Sequence, residues 1–213
     1  MPWKQQLQAC RLYGFVDTAY LAGRRPGEVA RMLVEGGADI IQLRAKTESP
    51  AQIAAMAKAI LPITRSAGVP VIINDHPGIA KDVDADGVHL GQEDLRQQPF
   101  AKLREEFGSD KIIGISTHSL EQALAAEKLG ADYIGVGPIF PTETKPGRPA
   151  VGVELIRQVE ARVKIPFVCI GGINLSNVRE VRLAGGAWIA VVSAILLAED
   201  VAAAARTYRD VIS

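Results

Sequence analysis

Short apolar runs rich in β-branched residues recur along the chain, each followed by turn residues and then by a longer stretch with helical spacing. They are Leu12 to Val16, Asp39 to Leu43, Pro70 to Ile73, Gly87 to Leu90, Lys111 to Ile115, Tyr133 to Val136, Pro166 to Ile170 and Trp188 to Val192, which makes eight expected strands. The intervening stretches carry helix start signals at Arg25-Pro26, Ser49-Pro50 and Asn174, and stop signals at Gly130 and Gly185. Ser119 followed by Gln122 has the form of a capping box.

Eight strand-helix units with no repeated sequence, no low-complexity segment and no linker predict a (β/α)8 TIM barrel, an α/β fold with helices outside a closed parallel sheet. One domain spanning residues 1–213 is expected. An open doubly wound sheet is the alternative. It is disfavoured because Asp17-Thr18-Ala19-Tyr20, the turn after the first strand, has no glycine-rich dinucleotide fingerprint.

Composition agrees with a large buried core, since 48% of residues are hydrophobic. Lys plus Arg and Asp plus Glu both number 24, so no overall field attracts nucleic acid or an acidic membrane surface. An anionic ligand has to be gripped locally. Met1 to Cys10 lacks the apolar core of a secretion signal, and the apolar stretch from Trp188 to Ala198 is too short to span a bilayer. Cys10 and Cys169, the two cysteines, lie far apart in sequence and suggest neither a disulfide framework nor a multi-cysteine metal site. A cytoplasmic protein with no membrane segment and no nucleic-acid partner is expected.

In a barrel of this kind, chemistry belongs at the C-terminal ends of the strands, and polar residues gather there in strand after strand. The second strand ends in Gln42-Leu43-Arg44-Ala45-Lys46, where the two-residue period puts Gln42, Arg44 and Lys46 on one side. A planar guanidinium beside a point-charge ammonium suits several phosphate oxygens, although exposed Lys and Arg are also ordinary surface residues. Asn74 and Asp75 end the third strand, and His89-Leu90-Gly91-Gln92-Glu93-Asp94 follows the fourth. A carboxylate from each of two adjacent strand ends, with water and substrate oxygens, is a usual way to hold Mg²⁺. Either aspartate alone is a common turn former or cap, and the spacing leaves Glu93 and Asp94 as alternative ligands.

His89 sits inside an apolar strand and reads as a hydrogen-bonded core residue outside the site. At the end of the fifth strand Ser116 can donate its hydroxyl to an oxyanion, while His118 reads as the start of the next helix. The long segment from Gly137 to Gly147 contains Thr142, Glu143, Thr144 and Lys145 and has the makings of a substrate-covering loop as well as of a plain connection. Gly171-Gly172-Ile173-Asn174 after the seventh strand and Val192-Ser193 after the eighth suggest a phosphate site built from backbone N–H groups, with glycine permitting close approach. Two anion sites emerge, and no nucleophilic triad accompanies them.

Taken in order, Gln42-Leu43-Arg44-Ala45-Lys46, Asn74-Asp75, Asp86-Gly87-Val88-His89-Leu90-Gly91-Gln92-Glu93-Asp94, Gly114-Ile115-Ser116, Gly135-Val136-Gly137-Pro138, Pro141-Thr142-Glu143-Thr144-Lys145, Gly171-Gly172-Ile173 and Val192-Ser193 resemble the thiamine phosphate synthase family over nearly the whole chain. The resemblance implies a transferase that joins a hydroxymethylpyrimidine diphosphate to a thiazole phosphate and releases pyrophosphate, without an enzymic nucleophile. It implies that Gln42, Leu43, Arg44, Ala45, Lys46, Asn74, Ser116 and Lys145 meet the pyrimidine diphosphate. By the same resemblance Asp75 and Asp94 hold one Mg²⁺, and Thr142, Glu143, Thr144, Gly172, Val192 and Ser193 meet the thiazole phosphate. Arg44, Lys46, Ser116 and Lys145 would then carry the chemistry.

Trp188 departs from the family pattern, which usually has a small residue there, and is expected to alter packing near the thiazole end. Ala45 stands where the family often has an acidic residue and should matter little because it points away from its neighbours. A thiazole tautomerase of the same superfamily, with a histidine near the position of His118, is a competing reading, as is an idle barrel that only binds a thiamine-related phosphate.

Overall fold

Parallel strands connected through helices leave no edge unpaired only if the last strand returns to the first, and this chain closes that circuit. The computed structural model describes residues 3–97, 99–142 and 149–213, the side chains of Gln5 and Gln97 excepted. The strands are β1 (Leu12–Asp17), β2 (Ile40–Arg44), β3 (Val71–Asn74), β4 (Gly87–Leu90), β5 (Ile112–Thr117), β6 (Tyr133–Val136), β7 (Phe167–Ile170) and β8 (Trp188–Ala190). They form a closed barrel in sequence order, every neighbour parallel, with Leu12 of β1 registered against Ile189 of β8.

Around the sheet lie α1 (Trp3–Gln6), α2 (Pro26–Glu35), α3 (Pro50–Ala67), α4 (Pro77–Asp82), α5 (Asp94–Gln97), α6 (Phe100–Phe107), α7 (Leu120–Leu129), α8 (Gly152–Arg162), α9 (Val178–Leu183), α10 (Ser193–Leu196) and α11 (Val201–Ile212). This is the (β/α)8 barrel that the eight apolar runs predict. Among the described residues no helix is long and apolar enough to cross a membrane.

The helix boundaries follow local chemistry. Pro26 and Pro50 occupy the first turns of α2 and α3, where a missing N–H costs nothing. Ser49 and Gln52 form a reciprocal capping box, and Gly68 ends α3 in the left-handed conformation at φ 69°. Ser119 caps α7 as expected, but the Gln122 side chain accepts from the His118 N–H, one residue before the cap. Asn174 does not begin a helix. It organises a turn in which its Oδ1 accepts from Ser176 N–H, and α9 starts after Asn177.

The apolar runs misplace some strand ends by a residue or two. Asp39 lies just before β2, where its carboxylate accepts the backbone N–H groups of Arg11 and Leu12 at 2.8 and 2.9 Å. Val191 and Val192, apolar enough to continue β8, instead turn the chain into α10, Val192 adopting φ −105° and ψ −84°. Such ends are set by which backbone groups find ladder partners, which apolar pattern alone does not encode.

Facing into the barrel are Tyr13, Phe15 and Asp17 of β1, Gln42 and Arg44 of β2, Asn74 of β3, His89 of β4, Ser116 of β5, Gly135 of β6, Val168 and Ile170 of β7 and Ala190 of β8. Tyr13, Tyr133 and Trp188 stack their rings in a triangle with centroids 5.2 to 6.0 Å apart. Barrel interiors of this type are usually filled by aliphatic layers. Here the aromatic triangle fills one level, and the level above it is polar.

Candidate active site

Two cavities meet inside the mouth. A small chamber of about 50 Å³ is bounded by Asp17, Gln42, Arg44, Asn74, His89 and Ser116 on one side and by Phe15, Val168 and Ile170 among others. A larger cavity of about 670 Å³ opens beside it, with Thr142, Gly172, Asn174, Val192 and Ser193 in its wall. Ser116, Gly135, Ile170, Ala190 and Val192 belong to both, so they form a shared wall.

On the chamber side, Arg44 is aimed by a carboxylate that sequence reasoning missed. Asp17, only 1% exposed, accepts from Arg44 Nη1 at 2.8 Å through Oδ2, while Oδ1 takes the Ala19 N–H. The β1–β2 register pairs Asp17 with Arg44 directly. One polar residue ending an apolar strand was the signal available, and it resembles any turn former.

Gln42 lies deeper, 3% exposed, with Nε2 donating to Tyr13 Oη at 2.8 Å. Leu43 and Ala45, between the polar residues of this strand end, are buried on the opposite side in the apolar layer.

Lys46 pairs with Asp75, whose Oδ2 also accepts from Asn74 Nδ2 at 2.7 Å. Asp75 holds a left-handed backbone conformation at φ 61°, with its N–H donated to the His89 carbonyl. That conformation is uncommon outside glycine, Asn and Asp, and it turns the carboxylate back over the strand ends.

Asp94 opens α5, and its Oδ2 accepts the Gly91 N–H at 2.8 Å. The carboxyls of Asp75 and Asp94 interact directly. Burial and then the Asp75 charge raise Asp94 above the ordinary carboxylate value, with the Gly91 N–H opposing. Burial also acts to raise Asp75, but the hydrogen bond and charge of Lys46 outweigh it and hold that carboxyl low. Two carboxyls in contact repel when both are ionised, so this pair favours a shared proton or a bound cation. Among the described residues no group of three or more His, Cys, Asp or Glu surrounds a point, so two carboxylates are what the protein itself offers a metal.

Ser116 is held at both ends. Gln92 Nε2 donates to its carbonyl at 2.6 Å, and His89 Nε2 lies 2.9 Å from its Oγ. His89, left outside the site by the pattern of its strand, therefore touches a candidate site residue. His118 bonds through Nδ1 to the Gly137 carbonyl and lines the larger cavity.

Gly172 on the far side has φ 64°, and a Cβ there would sit 2.5 Å from the Pro141 carbonyl oxygen. Glycine is required for the backbone to pass this close to the Phe140–Pro141 segment. Ser193 begins α10 immediately after Val192. Glu143, Thr144 and Lys145, expected in the loop after β6, lie outside the described residues.

Trp188 packs in the aromatic triangle of the interior, two residues before Ala190, which lines the larger cavity. Its Nε1 is buried with no hydrogen-bond partner among the described residues.

A parallel barrel whose cations, paired carboxylates and glycine-bounded cavity all converge at the C-terminal strand ends belongs to the class of (β/α)8 proteins that place small-molecule chemistry at that rim. Residues 12–195 match the family model described as thiamine monophosphate synthase. The chain is 49% identical to the thiamine-phosphate synthase of Shouchella clausii over 92% of its own length and 93% of that protein's. It is 46% identical to the thiamine-phosphate synthase of Chloroflexus aurantiacus over 95% and 93% of the two chains. The solved thiamine phosphate pyrophosphorylase from Pyrococcus furiosus superposes with a TM-score of 0.85 at 39% identity, covering 97% of this chain and 96% of that one. The chain belongs to the thiamine monophosphate synthase family.

Proposed function

We propose that this protein is a thiamine phosphate synthase, a transferase that condenses 4-amino-2-methyl-5-hydroxymethylpyrimidine diphosphate with 4-methyl-5-(2-phosphoethyl)thiazole, giving thiamine phosphate and pyrophosphate. One observation carries the reading beyond family membership: a chamber that Arg44 and Asn74 enter and a glycine- and serine-bounded cavity share a wall at Ser116. Two phosphorylated substrates that must meet need two anion sites opening on one another.

On this reading Arg44, Lys46, Asn74 and Ser116, with Lys145 from the loop, bind the diphosphate, Gln42 lines the chamber beneath it, and Leu43 and Ala45 act from behind by packing the strand end that carries these groups. Gly172, Val192 and Ser193 receive the thiazole phosphate, with Thr142, Glu143 and Thr144 as further binding residues. Asp75 and Asp94 fit one Mg²⁺, because two touching carboxyls in a polar mouth are the donor set such an ion takes, with substrate oxygens and water completing its shell. When bound, that ion supplies positive charge beside the departing pyrophosphate.

The protein's own groups do the rest. Arg44, braced by Asp17, and Lys46 offset charge growing on the leaving oxygens, and the Ser116 hydroxyl donates to them. The shared wall brings the thiazole nitrogen to the pyrimidine methylene as the C–O bond breaks, so positioning supplies much of the rate and no enzymic nucleophile is needed. The cytoplasm, where both substrates are small soluble phosphates, is the proposed site of action.

Incubation of the purified protein with both substrates, followed by mass analysis, tests the reading. Thiamine phosphate forming only when both are present supports it. An idle binder gives no product, and a tautomerase isomerises the thiazole without consuming the pyrimidine.

A further inference from the structure

A continuous line of hydrogen bonds runs through the barrel interior and ends on Ser116. Gln42 Nε2 lies 2.8 Å from Tyr13 Oη, which lies 2.8 Å from Tyr133 Oη, itself 2.9 Å from His89 Nδ1; the other ring nitrogen, Nε2, is 2.9 Å from Ser116 Oγ. These residues come from five strands, and Tyr13 and Tyr133 are 120 positions apart in sequence.

An amide nitrogen only donates, so Tyr13 Oη accepts from Gln42. Of the two directions open to the next bond, the one that leaves neither buried hydroxyl hydrogen without a partner has Tyr13 donating to Tyr133 Oη. Tyr133 in turn gives its hydrogen to His89 Nδ1. That nitrogen must then be the unprotonated one, which leaves the ring hydrogen on Nε2, facing Ser116 Oγ. Burial pushes both tyrosine hydroxyls well above their ordinary range, so neither loses its hydrogen at neutral pH.

The fold makes room for this line. A Cβ on Gly114 would lie 2.2 Å from Tyr133 Cζ and 2.6 Å from His89 Nδ1, whereas the aromatic triangle with Trp188 closes the space behind the two tyrosines.

We propose, building on the synthase reading, that His89 is a positioning residue for the reaction. Held in its Nε2–H form by the Gln42–Tyr13–Tyr133 line, it donates to Ser116 Oγ and so leaves the Ser116 hydroxyl hydrogen to be given to the substrate's diphosphate oxygen. The reverse polarity would spend that hydrogen on His89 and remove the donor.

The first test needs no turnover. Long-range proton–nitrogen spectra of the full-length protein labelled at histidine nitrogen, with His89 assigned by its loss in His89→Gln, report which ring nitrogen carries hydrogen. Protonation on Nε2 alone in the wild type is expected, with a mixture of both forms in Tyr133→Phe. Protonation on Nδ1 in the wild type overturns the proposal, whatever the enzyme's activity, so its failure is distinct from failure of the synthase reading.

The second test is a kinetic cycle. His89→Ala should lower kcat by roughly tenfold or more with KM for the pyrimidine diphosphate changed less, and His89→Gln, which keeps an N–H near the same place, should recover part of it. Combined with Ser116→Ala, His89→Ala should add almost nothing, because it acts through that hydroxyl. Fully additive losses contradict the proposal.

Discussion

Gly114 and Gly135 both face the barrel interior beside His89, yet replacing them by alanine should give opposite results. A Cβ on Gly114 would stand 2.2 Å from Tyr133 Cζ, 2.4 Å from Tyr133 Cε1 and 2.6 Å from His89 Nδ1. Carbon atoms approach comfortably to about 3.5 Å, so the Tyr133 ring would have to retreat by about 1 Å. It cannot do so freely, since it is fully buried against Tyr13, Trp188 and His89 with ring centroids 5.2 to 6.0 Å away. Overpacking of this kind costs about 3 kcal/mol, and separating the Tyr133 hydroxyl from His89 costs about 1–3 kcal/mol more. The sum is about 4–6 kcal/mol, which for a chain of this length lowers Tm by roughly 10–20 °C. A Cβ on Gly135 meets His89 Cε1 at 3.4 Å, His89 Nε2 at 3.6 Å and Ser116 Cα at 3.9 Å, ordinary contacts, and Gly135→Ala should stay within about 1 kcal/mol of wild type. Calorimetry or urea unfolding of the two variants decides the matter. Equal stability of the two, or a Gly114→Ala protein as stable as wild type, refutes the packing argument.

Three further outcomes are expected. Asp17→Ala leaves the Arg44 charge uncompensated in a largely buried place and should cost about 3–5 kcal/mol in urea unfolding, while adding Arg44→Met should restore most of it. Asp86, 6% exposed, has its carboxyl raised by burial against the opposing Val71 N–H and the charges of Arg65 and Lys111. Because the folded value lies above the unfolded one, wild-type stability relative to Asp86→Asn should be highest in acid and fall as pH rises through the carboxylate range, flattening above it; a difference that grows with pH over about pH 3 to 7 contradicts this. Asp75→Ala and Asp94→Ala should each abolish Mg²⁺-dependent turnover while circular dichroism shows the barrel intact, and either variant keeping full activity in chelator removes the metal assignment.

The barrel was legible because a buried parallel strand has a simple signature: a short β-branched run closed by turn residues, eight times over. Candidate site residues were legible for a related reason, since polar groups at the ends of such runs stand out against them; Arg44, Asp75, Asp94, Ser116 and Ser193 are all of this kind. Asp17 belongs to the same pattern, but its meaning depends on the strand register that sets it opposite Arg44. His89 was read as a core residue, and it is buried beside Tyr13 and Tyr133 of the expected strands; what sequence could not show is that burial places them in one hydrogen-bonded line. Nothing local to β1 announces a partner on β6. That Trp188 packs against Tyr13 and Tyr133 was illegible for the same reason, because inward depth depends on strand tilt and stagger, which arise only on closure.

The most direct test of the synthase account is pyrophosphate release from the purified protein with both substrates, in Mg²⁺ and again in excess chelator. The account expects one pyrophosphate per thiamine phosphate, release only when both substrates are present, and loss of release in chelator. Pyrophosphate appearing without the thiazole phosphate, or no release at all from folded protein in Mg²⁺, contradicts it.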